Sequence, residues 1–150
     1  MKKFVFTLEA VARYKSTVEK KQKAELSRVM ARLSALYRER EEIERAQMDT
    51  AASLVRSLAR GRDVIQELQR HDHYQMYLRA LLEEVKKNIV VAEAEKKRIQ
   101  ALLLITLREQ KALERLRSEQ YQAYLEDVYR EESLVINDLI AHRSTVAEAE

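Results

Sequence analysis

His71, Asp72 and His73 place two imidazoles and a carboxylate side by side, residue types that bind metal ions or carry protons. Their spacing works against that chemistry. On a helix His71 and His73 point to different faces, and no third or fourth ligand is indicated nearby. They read as surface residues. The many Glu and Arg residues three or four positions apart read as ion pairs on solvated helix faces. No glycine-rich phosphate loop and no nucleophile motif is present, and nothing suggests a pocket to hold either. With no cysteine, disulfides and thiolate metal sites are excluded. The expectation is a protein without catalytic residues, metal or cofactor, whose chemistry is the binding of other proteins.

The elements that must present such binding surfaces are helices. The 150 residues include no proline, one glycine (Gly61) and no tryptophan, so almost every natural stopping point is missing. Charged residues make up 35% and hydrophobic residues 46%, the latter at regular intervals, which argues against disorder. The rest is dominated by Ala, Leu, Glu, Lys, Arg and Gln, which lose little side-chain freedom in a helix. Against 28 basic residues stand 25 acidic ones, a net charge of +3. That is too balanced to imply nucleic-acid binding. The longest apolar run, Ala101 to Leu107, is interrupted by Thr106 and falls far short of the ~18 residues of a membrane span. Lys2 and Lys3 are followed by neither a long apolar region nor a cleavage site, so no signal peptide is expected.

From Leu8 a stripe recurs every three or four residues: Val11, Lys15, Val18, Gln22, Leu26, Val29, Leu33, Leu36, Arg40, Ile43, Gln47, Ala51, Leu54, Leu58. Its mean step of ~3.6 lies between a strict heptad and a straight helix, so supercoiling should be weak. Thr7 can cap this helix, and Phe6 with Val11 has staple spacing. Gly61 supplies the stop. Asp63 to Arg70 reads as a short amphipathic piece, after which Asp72 and Gln75 have capping-box spacing. A second stripe runs Tyr74, Leu78, Leu81, Val85, Ile89, Ala92, Lys96, Ile99, Leu103, Thr106, Gln110, Leu113, Arg117, Gln120, Tyr124, Val128.

Isolated, each helix would expose its stripe, and doubling back is the simplest burial. The expected fold is therefore all-α: one long antiparallel two-helix coiled-coil hairpin over residues 1–150. Its parts are a helix at about 7–59, a break with a short helical segment at 60–71, a helix at 72–142 and a frayed tail at 143–150. In this register Leu8 lies beside Val128 and Leu58 beside Leu78. The basic stretch Lys2 to Lys23 then meets the acidic stretch Glu119 to Glu132. Polar seam residues such as Lys15, Gln22, Arg40, Gln47, Lys96 and Gln110 hold register at a cost in stability. Leu102, Leu103, Leu104, Ile105 and Leu107 form a band too wide for a two-helix seam. Tyr74, Tyr77, Leu78, Leu81 and Leu82 form a broad face after the break, with Tyr77 a candidate anchor.

The chain resembles the flagellar export protein FliJ family. The resemblance rests on Phe4-Val5-Phe6-Thr7-Leu8-Glu9-Ala10-Val11 with Tyr14, the uninterrupted first helix, Tyr74-Gln75-Met76-Tyr77-Leu78, and the late segment from Tyr121 to Leu139. It covers nearly the whole chain, and the opening Phe-x-Phe-x-Leu is its most specific part. In the last segment Asn137-Asp138 stands where the family more often has an acidic pair. The resemblance implies a coiled coil similar to that of the rotary ATP synthase γ subunit, acting as a stalk in the hexameric export ATPase of the flagellar type III secretion apparatus. It further implies promotion of ring assembly, contact with the cytoplasmic domain of the membrane export gate, and escort of export chaperones. By position, Ile43, Tyr77 and Leu81 match the gate-binding patch, while Glu84 and Asn88 depart from it. Leu8, Val11, Arg13 and Lys20 become candidates for contact with the ATPase ring. The implied location is cytoplasmic and peripheral to the inner face of the cell membrane, and the free protein is expected to be mainly monomeric and to bind no nucleic acid. The alternatives are a generic coiled-coil adaptor or scaffold, a secretion chaperone that grips clients between helices, and a basic nucleic-acid-binding coiled coil.

Overall fold

The computed structural model describes residues 3–61 and 63–147. Two long helices pack against each other as an all-α hairpin: α1, Glu9–Ala59, and α2, Val64–Ala147. The first helix begins and ends within two residues of its expected bounds. Lys2 and residues 148–150 of the expected tail lie outside the described range.

Helix α1 opens with Glu9 in its first turn and closes with Arg56 in its last, both signs matching the helix dipole. The backbone amides of Arg60 and Gly61 then donate to the carbonyls of Ser57 and Leu58 at 3.2 and 3.1 Å, tightening the final turn. Gly61 takes φ 72°, the left-handed conformation that a Cβ disfavours. Asp63 starts α2. Its Oδ1 accepts from the Ile65 amide at 3.1 Å and its carbonyl accepts from the Glu67 amide at 3.1 Å.

The separate short helix expected before Asp72 is therefore the beginning of α2, which runs unbroken through His71, Asp72 and His73. Asp63 and Asp72 both have capping chemistry, and nothing between them breaks a helix, so the earlier cap prevails. Because the chain reverses in only a few residues, the register shifts as well. Leu8 does not lie beside Val128, since its neighbour Thr7 exchanges hydrogen bonds with Gln120 at 3.2 and 3.3 Å. Farther along, Gln75 Nε2 donates to the carbonyl of Gln47 at 3.1 Å. The expected match of Lys2–Lys23 with Glu119–Glu132 is likewise replaced. Lys15 pairs with Glu109, and Arg117 lies 3.7 Å from Glu9.

Contacts divide the chain into two units, one from residues up to Lys20 with those from Leu104 onward, the other from Lys21 to Leu103. In the second, Val29, Leu33 and Ile43 pack with Leu78, Val85, Ile89, Ala92 and Ile99, flanked by half-buried Leu26, Leu36, Tyr37, Leu81 and Leu82. All eight buried residues belong to the two sequence stripes. Ala92 is 0% exposed, a small side chain enclosed in this core. In the first unit Phe6 and Thr106 are buried. Thr7, which was expected to cap α1, uses its hydroxyl on Gln120 instead, and Val11 is exposed, leaving Phe6 under the Arg117 guanidinium, 6.0 Å from its ring centre.

Candidate partner-binding surfaces

The imidazole of His71 is half-buried, 3.4 Å from the Gln75 side chain, while His73 is exposed. No group of three or more potential metal-binding side chains occurs among the described residues. A shallow cleft beside His71 is lined by Thr50, Ser53, Leu54, Glu67, Arg70 and Tyr74.

In the unit from Lys21 to Leu103, α2 turns Leu78 into the core and leaves the neighbouring Tyr77 outside, 58% exposed. The reason is helical geometry: adjacent positions differ by about 100°, so one buries where the other cannot. The rings of Tyr74 and Tyr77 stack at 6.3 Å with 25° between their planes. Tyr74, read as a seam residue, is exposed, because Gln75 and His71 occupy the inward positions in this register. Leu81, four residues beyond Tyr77, is half-buried against the core. Tyr77 and Leu81 thus form one contiguous face. Ile43 does not join it. Only 8% exposed, Ile43 is a core side chain. Its place on the regular stripe was the signal that should have decided this.

The polar seam in this unit is only partly satisfied. Tyr37 donates to Glu93 Oε1 at 2.9 Å; that hydrogen bond first, then burial, then the Glu93 charge raise the phenol's pKa. The guanidinium of Arg40 lies 5.3 Å from the Tyr37 ring centre. Its Nε and Gln22 Oε1 are buried without a hydrogen-bond partner.

In the other unit the opening residues build an aromatic cluster. Phe4 meets Tyr121 edge-on at 5.2 Å and Tyr124 at 5.7 Å. The register expected from the sequence, with Leu8 beside Val128, puts both tyrosines elsewhere, so these partners of Phe4 were not foreseen. Of the four ring-contact candidates, Leu8 is half-buried and Val11, Arg13 and Lys20 are exposed. Arg13 lies 3.7 Å from Glu9. Arg13 and Lys20 share a face at seven-residue spacing, whereas Val11 lies roughly 160° round the helix from Arg13. The four do not form one patch.

In the band after Ala101, only Leu103 and Thr106 turn inward. Leu102, Leu104, Ile105 and Leu107 are exposed. No helix among the described residues is long and apolar enough to cross a membrane.

Comparison with known protein families, with characterised proteins and with solved structures returns no match for this chain.

Proposed function

We propose that this protein is a non-enzymatic component of the flagellar type III export apparatus, a FliJ-like stalk in the export ATPase ring. The observation that carries the reading is the contact of Phe4 with Tyr121 and Tyr124. It joins two stretches, far apart in sequence, that independently resemble the family. The hairpin supports the reading too. Two packed helices give a cross-section of about 20 Å, narrow enough for a ring pore that excludes a globular domain. Tyr77, exposed beside half-buried Leu81, is the anchor offered to the export gate. Val11, Arg13 and Lys20 are the exposed side chains offered to the ring, on two faces of α1. Export chaperones are further partners in this proposal, and the location is cytoplasmic, peripheral to the membrane at the flagellar base.

A generic coiled-coil adaptor is the second reading, favoured by the apolar side chains left exposed on both helices. Co-purification with a hexameric flagellar export ATPase, followed by ring-assembly and ATP-hydrolysis assays, separates the two. The stalk reading expects stimulated assembly and hydrolysis; an unchanged rate with no complex would sink it. Tyr77→Ala should abolish gate binding and leave ATPase stimulation intact.

A further inference from the structure

From Tyr129 to His142 every side chain of α2 is exposed. Tyr129, Leu134, Val135, Ile136, Leu139 and Ile140 are each between 56% and 65% exposed. Among the described residues of the opening segment, Phe4 meets α2 at the rings of Tyr121 and Tyr124.

These residues are not scattered. At helical spacing Val128, Tyr129, Val135, Ile136, Leu139 and Ile140 fall within an arc of about 140°. Glu131 borders one edge of the arc, with Asp127 and Asp138 behind it, and Glu126 borders the other. Glu132 interrupts it. Leu134 alone lies on the polar side. An amphipathic face of this width is the kind that a helix presents to a core or a partner.

Charge selects among possible occupants. Residues 126–140 hold five carboxylates (Glu126, Asp127, Glu131, Glu132, Asp138) against the single guanidinium of Arg130, a net charge of −4 within a chain of +3. Arg130 is already shared between Glu126 at 4.0 Å and Asp127 at 3.8 Å. A second copy pairing through the same segment would set −4 against −4. Paired in parallel, Glu131 and Glu132 would face themselves; paired antiparallel, Glu131 would approach Asp138. Anionic lipid and nucleic acid carry the same sign and are repelled. A cationic protein surface meets both requirements, apolar area and opposite charge at its edges.

We propose that residues 126–140 of α2 are a docking helix for a basic amphipathic helix of a partner protein, which lays its apolar side on Val135, Ile136, Leu139 and Ile140 and its Lys or Arg side chains against Glu126, Glu131 and Asp138. The proposal is independent of the export reading.

The test uses the full chain and a fluorescein-labelled synthetic amphipathic helix with leucines on one face and lysines along both edges. A glutamate-edged version of the same peptide is the control. The lysine probe binds, its affinity falls as salt is raised, and the Ile136→Asp/Leu139→Asp variant weakens it by about ten-fold or more. Glu131→Lys/Glu132→Lys reduces binding of the lysine probe and increases that of the glutamate probe. Because these positions are exposed, the unfolding midpoint of each variant stays near that of the parent, which separates lost docking from lost folding. Equal binding of both probes, or binding of the lysine probe unchanged in Ile136→Asp/Leu139→Asp, overturns the proposal. So does concentration-dependent dimerisation that Ile136→Asp abolishes, which would assign the face to a second copy. Binding to phosphatidylglycerol vesicles that is lost in the same variant would assign it to lipid and overturn it equally.

Discussion

The hydroxyl of Tyr37 donates a 2.9 Å hydrogen bond to Glu93, tying α1 to α2 beside the buried side chains of Leu33 and Ala92. The bond needs the neutral phenol. Glu93 as acceptor, then burial, then the carboxylate charge hold the pKa of Tyr37 above its ordinary value, while Arg40 acts in the opposite direction. A group whose folded pKa is raised contributes its stability fully below the unfolded pKa, here about 10, and loses it as pH rises through the folded value. Tyr37→Phe should therefore be less stable than the parent by a constant margin from neutral pH to about pH 10, with the gap closing above that. Denaturant unfolding of both proteins across pH checks it; a gap that closes by pH 8 would contradict this.

Gly61 has φ 72° and nothing within 4 Å of where a Cβ would stand. The cost of Gly61→Ala is then backbone strain alone, about 1–2 kcal/mol. Gly61→Asn should cost less, since asparagine tolerates this conformation better than other L-residues. Equal losses for Ala and Asn in equilibrium unfolding would point to a different cause.

Buried and exposed positions should respond very differently to substitution. Leu33→Ala removes a buried side chain and should cost about 2–5 kcal/mol. Ala92→Leu inserts bulk at a fully buried position, at about 1–3 kcal/mol. Leu134→Ala, on an exposed stretch of α2, should stay within about 0.5 kcal/mol. Calorimetry of the three variants decides, and a large loss at Leu134 would mean that this stretch is covered in the free protein.

Spin labels report the register directly, and a chain without cysteine takes them only where they are placed. Thr7→Cys with Gln120→Cys should give a short distance. Leu8→Cys with Val128→Cys should read clearly longer, because the two sites are then offset along the helix axes by about 13 Å, nine residues at ~1.5 Å each. If the second pair is the shorter, the pairing described for this unit is wrong.

The faces of both helices were legible in the residues, and their pairing was not. Leu33, Val85, Ile89 and Ile99 are buried because a period near 3.6 places them on one side, which any reading of spacing detects. Periodicity says nothing about which turn of α1 faces which turn of α2. That was decided by the choice between Asp63 and Asp72 as cap, two residues of the same type. The error carried through to the ion pairs and to the partners of Phe4. At the candidate sites, Tyr77 was legible as exposed because it falls off the stripe. Ile43 fitted both the stripe and the resemblance, and burial favoured the stripe because an isoleucine gains more from the core than from water.

The few-residue reversal at Gly61 also orders how the chain assembles. Contacts near it, such as Gln47 with Gln75, close short loops, whereas Phe4 and Tyr121 are more than a hundred residues apart in sequence. Loop-closure entropy therefore favours early formation of the contacts beside Gly61 and late formation of the aromatic cluster of Phe4, Tyr121 and Tyr124.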